Sequence, residues 1–179
     1  YAMTKMHGES AFIHSAEAYN YECTIVRYQN IIGPEMGFGH AIPHIVERFV
    51  KGEKSPFKIY GHDQTRAFCY IDDAVIGTVG AMESDKAAGE IYHIGKQDEI
   101  NMETLTTYIG DLMDYAGEYE AAMTYPGSVA RRCPNIDKAK SHFGYSPSID
   151  WKKAVSLTTD WYHEFFTSGQ SPQSGGFET

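Results

Sequence analysis

The chain has 179 residues, enough for one domain with a core of its own or for two partial lobes. Its formal net charge of −9 and sequence pI of about 5.3 argue against a general binder of nucleic-acid backbones. A local basic site for one diphosphate stays open, because one or two arginines suffice for it. Residues 1–19 read as a helix with broad apolar coverage from Ala2, Met3, Met6, Ala11, Phe12, Ile13 and Ala16, and Asn20 is a reasonable stop. Residues 23–28 are β-branched and largely apolar, the pattern of a buried strand. A helix feeding such a strand is the alternation expected of a parallel sheet covered by helices.

From Asn30 to His40 the glycines and Pro34 mark a loop, and a loop leaving a parallel strand is where open α/β sheets place ligands. A helix is expected over residues 43–51, closed by Gly52, followed by a short strand over residues 57–60 and a turn at Gly61-His62-Asp63-Gln64. Residues 67–71 form a second strand candidate, after which Asp72 can cap a helix to about residue 82. Residues 91–94 are a strand candidate. Asn101 caps a further helix carrying Leu105, Tyr108, Ile109 and Leu112. A strand is expected over residues 121–125, a short helix over 136–143 ended by Gly144, and a last helix over 151–166. Residues 167–179 have little to bury and are expected to be a disordered tail.

Tyr1 and Lys5 lie four residues apart, on one helical face about a turn from each other. A cation beside a phenol favours the phenolate. Such a pair could move a proton to or from a sugar or alcohol hydroxyl while a nicotinamide moves the hydride. The same spacing also describes an aromatic packed under a solvated lysine. Asn30, beside a Gly-Pro loop, presents an amide donor and acceptor to a ligand or starts an Asx turn. Arg66, between a polar turn and an apolar strand, suits bidentate phosphate binding or a solvated surface. Cys23, Cys69 and Cys133 lack metal spacing and cannot all pair with one another, which suits a reducing cytosol. The eight histidines form no close ligand set, so no metal is expected. No run approaches the roughly 18 apolar residues of a membrane span, so no membrane partner is expected.

Tyr1-x-x-x-Lys5 with Gly8-Glu9, Val26-Arg27-Tyr28-Gln29-Asn30-Ile31-Ile32-Gly33-Pro34, and Gln64-Thr65-Arg66-Ala67-Phe68-Cys69-Tyr70-Ile71-Asp72-Asp73 together resemble the extended short-chain dehydrogenase/reductase family. Within it the likeness is to the NAD-dependent nucleotide-sugar epimerases, dehydratases and decarboxylases, and it covers residues 1–166. The resemblance implies that Tyr1 is the acid/base residue and that Lys5 bonds the nicotinamide ribose and tunes Tyr1. It places Asn30 near the sugar diphosphate, Tyr60 at the nucleotide base, and Arg66 and Arg132 on the diphosphate. Arg132 comes from Arg131-Arg132-Cys133-Pro134-Asn135-Ile136, where Asn135 replaces the usual aspartate and Arg131 either substitutes for Arg132 or faces water. His40 opens the helix over the substrate, where relatives often carry Asn, and is expected to bond a phosphate or sugar. Gln29 replaces the usual aromatic. Glu35 stands where decarboxylase-like members often have arginine, which disfavours a uronate substrate.

The expected fold class is α/β, the latter part of an extended Rossmann-like fold plus a smaller mixed α/β nucleotide-sugar-binding lobe. Residues 1–30 would end the NAD-binding domain, 31–66 would bind substrate, 67–95 would return to the Rossmann domain, and 96–166 would complete the substrate lobe. The chain is read as the later part of a longer cytoplasmic polypeptide, expected to be a homodimer. Its expected activity is NAD-dependent epimerisation at C4 of a nucleotide-diphosphate sugar through a keto intermediate. UDP-glucuronate decarboxylation and 4,6-dehydration are the alternatives. Because no Gly-x-Gly-x-x-Gly fingerprint is present, the isolated 179 residues are expected to be inactive, and a truncated binding or assembly module is the non-enzymatic alternative.

Overall fold

The structure, a computed structural model, describes residues 1–124 and 126–170. Helix α1, Ala2–Tyr19, ends where Asn20 turns left-handed (φ 54°), a conformation Asn tolerates better than most side chains. Its apolar residues point to all sides, so they form no stripe and none of the helix's residues is buried. A fork from Arg27 to Glu9 (2.8 and 2.5 Å) ties α1 to strand β1, Ile25–Tyr28.

Two apolar clusters organise the rest. In the first, β1 pairs in parallel with β6, Ile91–Ile94, from Ile25 opposite Ile91 to Tyr28 opposite Ile94. Helices α3, Ile71–Glu83, and α5, Asp137–Phe143, pack on this pair, burying Ala74, Ala81, Tyr92, Ile94 and Tyr145. Gly77 allows the approach, since a Cβ there would meet the Tyr145 ring at 2.7 Å. In the second cluster, helices α2, Ala41–Val50, α4, Met102–Leu112, and α6, Trp151–Thr167, bury Ile42, Val46, Leu105, Ile109, Val155 and Tyr162 around Phe57. Each such side chain contributes about 1.5–3 kcal/mol when fully buried. Phe57 begins β3, Phe57–Tyr60, which pairs in parallel with β8, Tyr119–Ala122.

Short strands join the clusters. β2, Ile31–Ile32, pairs in parallel with β5, Cys69–Tyr70. β4, Thr65–Ala67, lies between β7, Glu99–Asn101, which is antiparallel to it, and β9, Arg131–Arg132, which is parallel. The alternation of strands and helices with mostly parallel pairing is a Rossmann-like α/β arrangement.

Several expected boundaries change. β1 starts at Ile25, two residues into the apolar run, and α2 starts at Ala41, before Pro43, whose missing N–H is tolerated in a first turn. The strand expected over residues 67–71 divides at Phe68 into β4 and β5, which belong to different sheets. β8 lies two residues earlier than expected, and Tyr125 falls outside the described residues. Part of the expected tail is ordered as helix, since α6 runs to Thr167, while residues 171–179 lie outside the described residues. Asn101 does cap α4, its Oδ1 accepting from the Thr104 N–H at 2.7 Å.

Asp72 does not cap α3. The helix begins at Ile71, two residues earlier than that cap would set, with Tyr70 at the cap and no side-chain cap bond. The carboxylate that matters is Asp73, only 2% exposed, which accepts from Ser148 N (3.0 Å), Ser148 Oγ (3.4 Å) and Ile149 N (2.9 Å). Lys96, also buried, donates to the Ile149 carbonyl, so Ile149 is held through both its N–H and its carbonyl just before α6. Asp73→Ala leaves two backbone donors without their acceptor and is expected to cost about 2–4 kcal/mol of unfolding free energy. Urea denaturation of the whole protein reads this directly, and a loss below about 0.5 kcal/mol would show that the clamp is dispensable.

Candidate active site

The site is a cleft of about 970 Å³ where the ends of β1, β3, β4 and β9 meet the start of α2. Tyr1, Asn30, His40, Tyr60, Arg66 and Arg132, scattered over 132 positions of sequence, all line it. Lys5 does not; its Nζ lies 5.4 Å from the centroid of the Tyr1 ring, beside the cleft. Tyr1 itself is 93% exposed, so its phenol and the Lys5 ammonium are open to solvent at the rim. A phenol and an ammonium so placed fit the ribose and nicotinamide end of a dinucleotide, which offers hydroxyl groups to both.

The two arginines are adjacent because β4 and β9 are in parallel register, with Arg66 opposite Arg132. Neighbouring residues of a parallel pair share a face, so two like charges stand side by side, an arrangement that costs energy without acceptors or an anion. Arg66 is oriented by acceptors: its Nη1 donates to Thr65 O (2.7 Å) and Ala130 O (3.3 Å), and its Nη2 to Gln64 Oε1 (2.9 Å). Gln64 Oε1 also accepts from Ser128 Oγ at 3.0 Å. Arg131, one residue from Arg132, points to the other face of the strand. There it forks onto Glu99 (Nη2 to Oε1 2.5 Å, Nε to Oε2 2.9 Å), which also accepts from Thr65 Oγ1 at 2.8 Å. The Arg131 guanidinium, with Thr65, holds the Glu99 carboxyl below the usual carboxylate range. Arg131 therefore neither substitutes for Arg132 in the cleft nor simply faces water.

Asn30 is left-handed (φ 46°), and its Nδ2 donates to Ala67 O (3.1 Å) and Arg132 O (3.4 Å). Its amide nitrogen thus fastens β9 to β4's exit and is not the donor of an open loop. His40 is the extended N-cap residue of α2 and makes no side-chain cap bond. Tyr60 ends β3, half exposed. Glu35 is not among the cleft-lining residues; it is exposed, left-handed (φ 59°), and close enough to Tyr162 to act on it. Burial first, and the Glu35 charge second, push the Tyr162 hydroxyl up to about 12. That hydroxyl donates to the Met36 carbonyl and fixes the loop whose Met36 and Gly39 line the cleft. The electrostatic argument against a uronate therefore fails, because it required Glu35 in the pocket.

Among the described lining residues are two arginines and no aspartate or glutamate, so the cleft favours an anion although the chain carries −9 overall. No three metal-ligating side chains cluster among the described residues, and no helix among them is long and apolar enough to cross a membrane.

Residues 1–95 match the model of the NAD dependent epimerase/dehydratase family. The chain belongs to that family. UDP-N-acetyl-alpha-D-glucosaminuronate decarboxylase of Bacillus cytotoxicus is 31% identical over 151 residues, 79% of this chain and 46% of that protein. Human dTDP-D-glucose 4,6-dehydratase is 28% identical over 174 residues, 93% of this chain and 49% of that protein. The crystal structure of UDP-glucuronic acid 4-epimerase from Bacillus cereus in complex with UDP-glucuronic acid and NAD superposes with a TM-score of 0.81. It is 24% identical, with 91% of this chain and 52% of that chain covered, and shows the shared fold. The chain spans about half the length of the relatives it matches.

Gln64, Met36, Thr124 and Ser128 were not singled out by the sequence pattern as site residues, yet they line the cleft of this family member. Gln64 sits inside the quoted motif and so carried a signal; Ser128 carried none, since its place beside Gln64 depends on β9 pairing with β4. The geometry predicts that Arg132→Ala weakens binding of a nucleoside diphosphate to the whole protein by roughly 10- to 100-fold, the scale of a lost charge-assisted hydrogen bond. Arg131→Ala should leave it unchanged. Titration calorimetry with UDP and dTDP distinguishes them, and equal losses would mean that the strand faces are assigned the wrong way round.

Proposed function

We propose that the whole protein oxidises and re-reduces C4 of a nucleotide-diphosphate sugar and releases the C4 epimer, with NAD as a retained cofactor. The observation that carries this reading is the convergence of Tyr1, Asn30, His40, Tyr60, Arg66 and Arg132 on one cleft with no aspartate or glutamate among its described lining residues. NAD, when bound, supplies the acceptor and donor of the C4 hydride. Tyr1 takes the proton of the C4 hydroxyl as the ketone forms and returns a proton to the ketone oxygen on reduction. Lys5 Nζ lies 5.4 Å from the centroid of the Tyr1 ring, beside the place of this transfer. Arg66 and Arg132 hold the diphosphate, Tyr60 stacks on the base, and His40 bonds a phosphate or sugar oxygen. With Nδ2 engaged by carbonyls, Asn30 offers Oδ1 to the ligand. The anchored diphosphate leaves the sugar free to turn its other face to the hydride within a cleft of about 970 Å³.

Decarboxylation of a nucleotide uronate is the second reading, favoured by the position of Glu35 outside the cleft lining. Oxidation at C4 makes a uronate a β-keto acid, so the same Tyr1 chemistry would precede loss of carbon dioxide. Dehydration needs a further acid at C6, which the described lining does not offer.

In this reading residues 1–30 and 67–95 serve the dinucleotide side, and 31–66 with most of 96–166 serve the substrate side, α5 packing with the former. The three cysteines are unpaired, which suits a cytoplasmic enzyme, and a homodimer remains our expectation for the whole protein. The 179 residues by themselves should be inactive, for they lack the glycine-rich fingerprint of the dinucleotide turn.

Incubation of the whole protein with UDP-glucose, UDP-N-acetylglucosamine, UDP-glucuronate and dTDP-glucose separates the readings by product mass and configuration. An isobaric C4 epimer is expected; a product lighter by carbon dioxide establishes the second reading, and one lighter by water overturns both. Tyr1→Phe keeps the ring and is expected to lower kcat by about 100-fold or more with nucleotide-sugar affinity retained. An unchanged single-turnover rate of NAD reduction would remove Tyr1 from the mechanism.

A further inference from the structure

We propose that Arg48, which does not line the cleft, is a positioning residue for Tyr60 and thereby sets how tightly the nucleobase is held; this rests on the nucleotide-sugar reading above. Arg48 lies in the last turn of α2 with its side chain 12% exposed. Its guanidinium is fixed on three sides. Nε and Nη2 fork onto Glu53 at 2.6 Å each, Nη2 also donates to the Lys58 carbonyl at 2.8 Å, and the plane sits 4.0 Å from the centroid of the buried Phe57 ring. The same guanidinium lies 5.4 Å from the centroid of the Tyr60 ring.

Tyr60 needs such a support. Strand β3 alternates, with Phe57 and Ile59 inside and Lys58 and Tyr60 outside, so strand pairing places the Cα of Tyr60 but buries little of its ring, which is 51% exposed. Behind the ring is a second cavity of about 100 Å³, bounded by His44, Arg48, Lys58 and Thr106, which shares Ala41, Tyr60 and Met102 with the cleft. Tyr60, with Ala41 and Met102, therefore borders both spaces. With Arg48 in place it is supported from the side away from the cleft; without it, the ring can fall back into the rear cavity and lose the face it presents to a base. A lysine keeps the charge but cannot make the planar fork that sets the guanidinium between Glu53, Lys58 O and the rings.

The test is a double-mutant cycle on the whole protein, with UDP and dTDP as probes in titration calorimetry and the tighter of the two carried through. Arg48→Lys and Arg48→Met are expected to weaken nucleotide binding about 5- to 10-fold while Tyr60 is present, the size of an impaired stacking contact. In a Tyr60→Leu background the same replacements should change it by less than about twofold. With nucleotide sugar, KM should rise and kcat stay within about twofold, because the diphosphate and C4 are held by other residues. Should Arg48→Met fail to fold, Arg48→Lys and Glu53→Gln, which loosens the same fork, give the same comparison. Equal losses in both backgrounds, or no loss with Tyr60 present, overturn the proposal. If Tyr60→Leu leaves affinity unchanged while Arg132→Ala lowers it, the nucleotide site stands and the role of Arg48 falls. If the unaltered protein binds neither nucleotide, the functional reading itself falls and takes this inference with it.

Discussion

Two guanidinium groups stand side by side because a two-residue strand pairs in parallel with a three-residue one. β9 places Arg132 next to Arg66, and the hydrogen bonds on this side of the cleft are arranged around that pair. The carbonyls of Thr65 and Ala130 and the Gln64 amide oxygen accept hydrogen bonds from Arg66 and orient its fork. Glu99, the carboxylate of the neighbouring strand, lies on the opposite face and is taken up by Arg131. The alternation of a strand thus separates the Arg131–Glu99 pair on one face from Arg66 and Arg132 on the other.

The strands that carry these residues are too short to be stable alone, so the two apolar clusters must hold them. β2 and β5 join the clusters: Ile32 and Tyr70 belong to the one around α2 and α6, Cys69 and Ile31 to the one around α3. The backbone of Ile149, its N–H bonded to Asp73 of α3 and its carbonyl to Lys96 just past β6, is fixed two residues before α6 begins. α6 in turn delivers the Tyr162 hydroxyl to the loop of Met36. The cleft is therefore a product of core packing at some distance from it, while Tyr1 and Lys5, on a helix with no buried residue, are tied to the body through Glu9 and Arg27.

Much of the fold was legible in the chain because its signals are local. The apolar spacing of α4 and α6, the cap at Asn101, the αL stop at Asn20 and the strand at residues 57–60 each depend on neighbours a few positions away. β7 and β9 were not legible, since Glu99–Asn101 and Arg131–Arg132 have no strand pattern and exist only as partners of β4. The choice between Asp72 and Asp73 was equally closed to local reading: both lie in the first turn of the same helix, and burial selects Asp73 because Ser148 and Ile149 are there to bond it.

Residue types and their order determined the family, the α/β alternation and which side chains were candidates for the site, because motif residues and periodicity are properties of short stretches. Only the tertiary structure decided that Arg132 and not Arg131 enters the cleft, that Glu35 stays out of its lining, and that Gln64 and Ser128 are brought to it. Those outcomes depend on the face on which a side chain emerges and on contacts across 30 to more than 60 positions, such as Glu99 to Arg131 and Gln64 to Ser128. Strand register sets both, and register is fixed by pairing and packing between distant segments, which no single stretch of the chain contains.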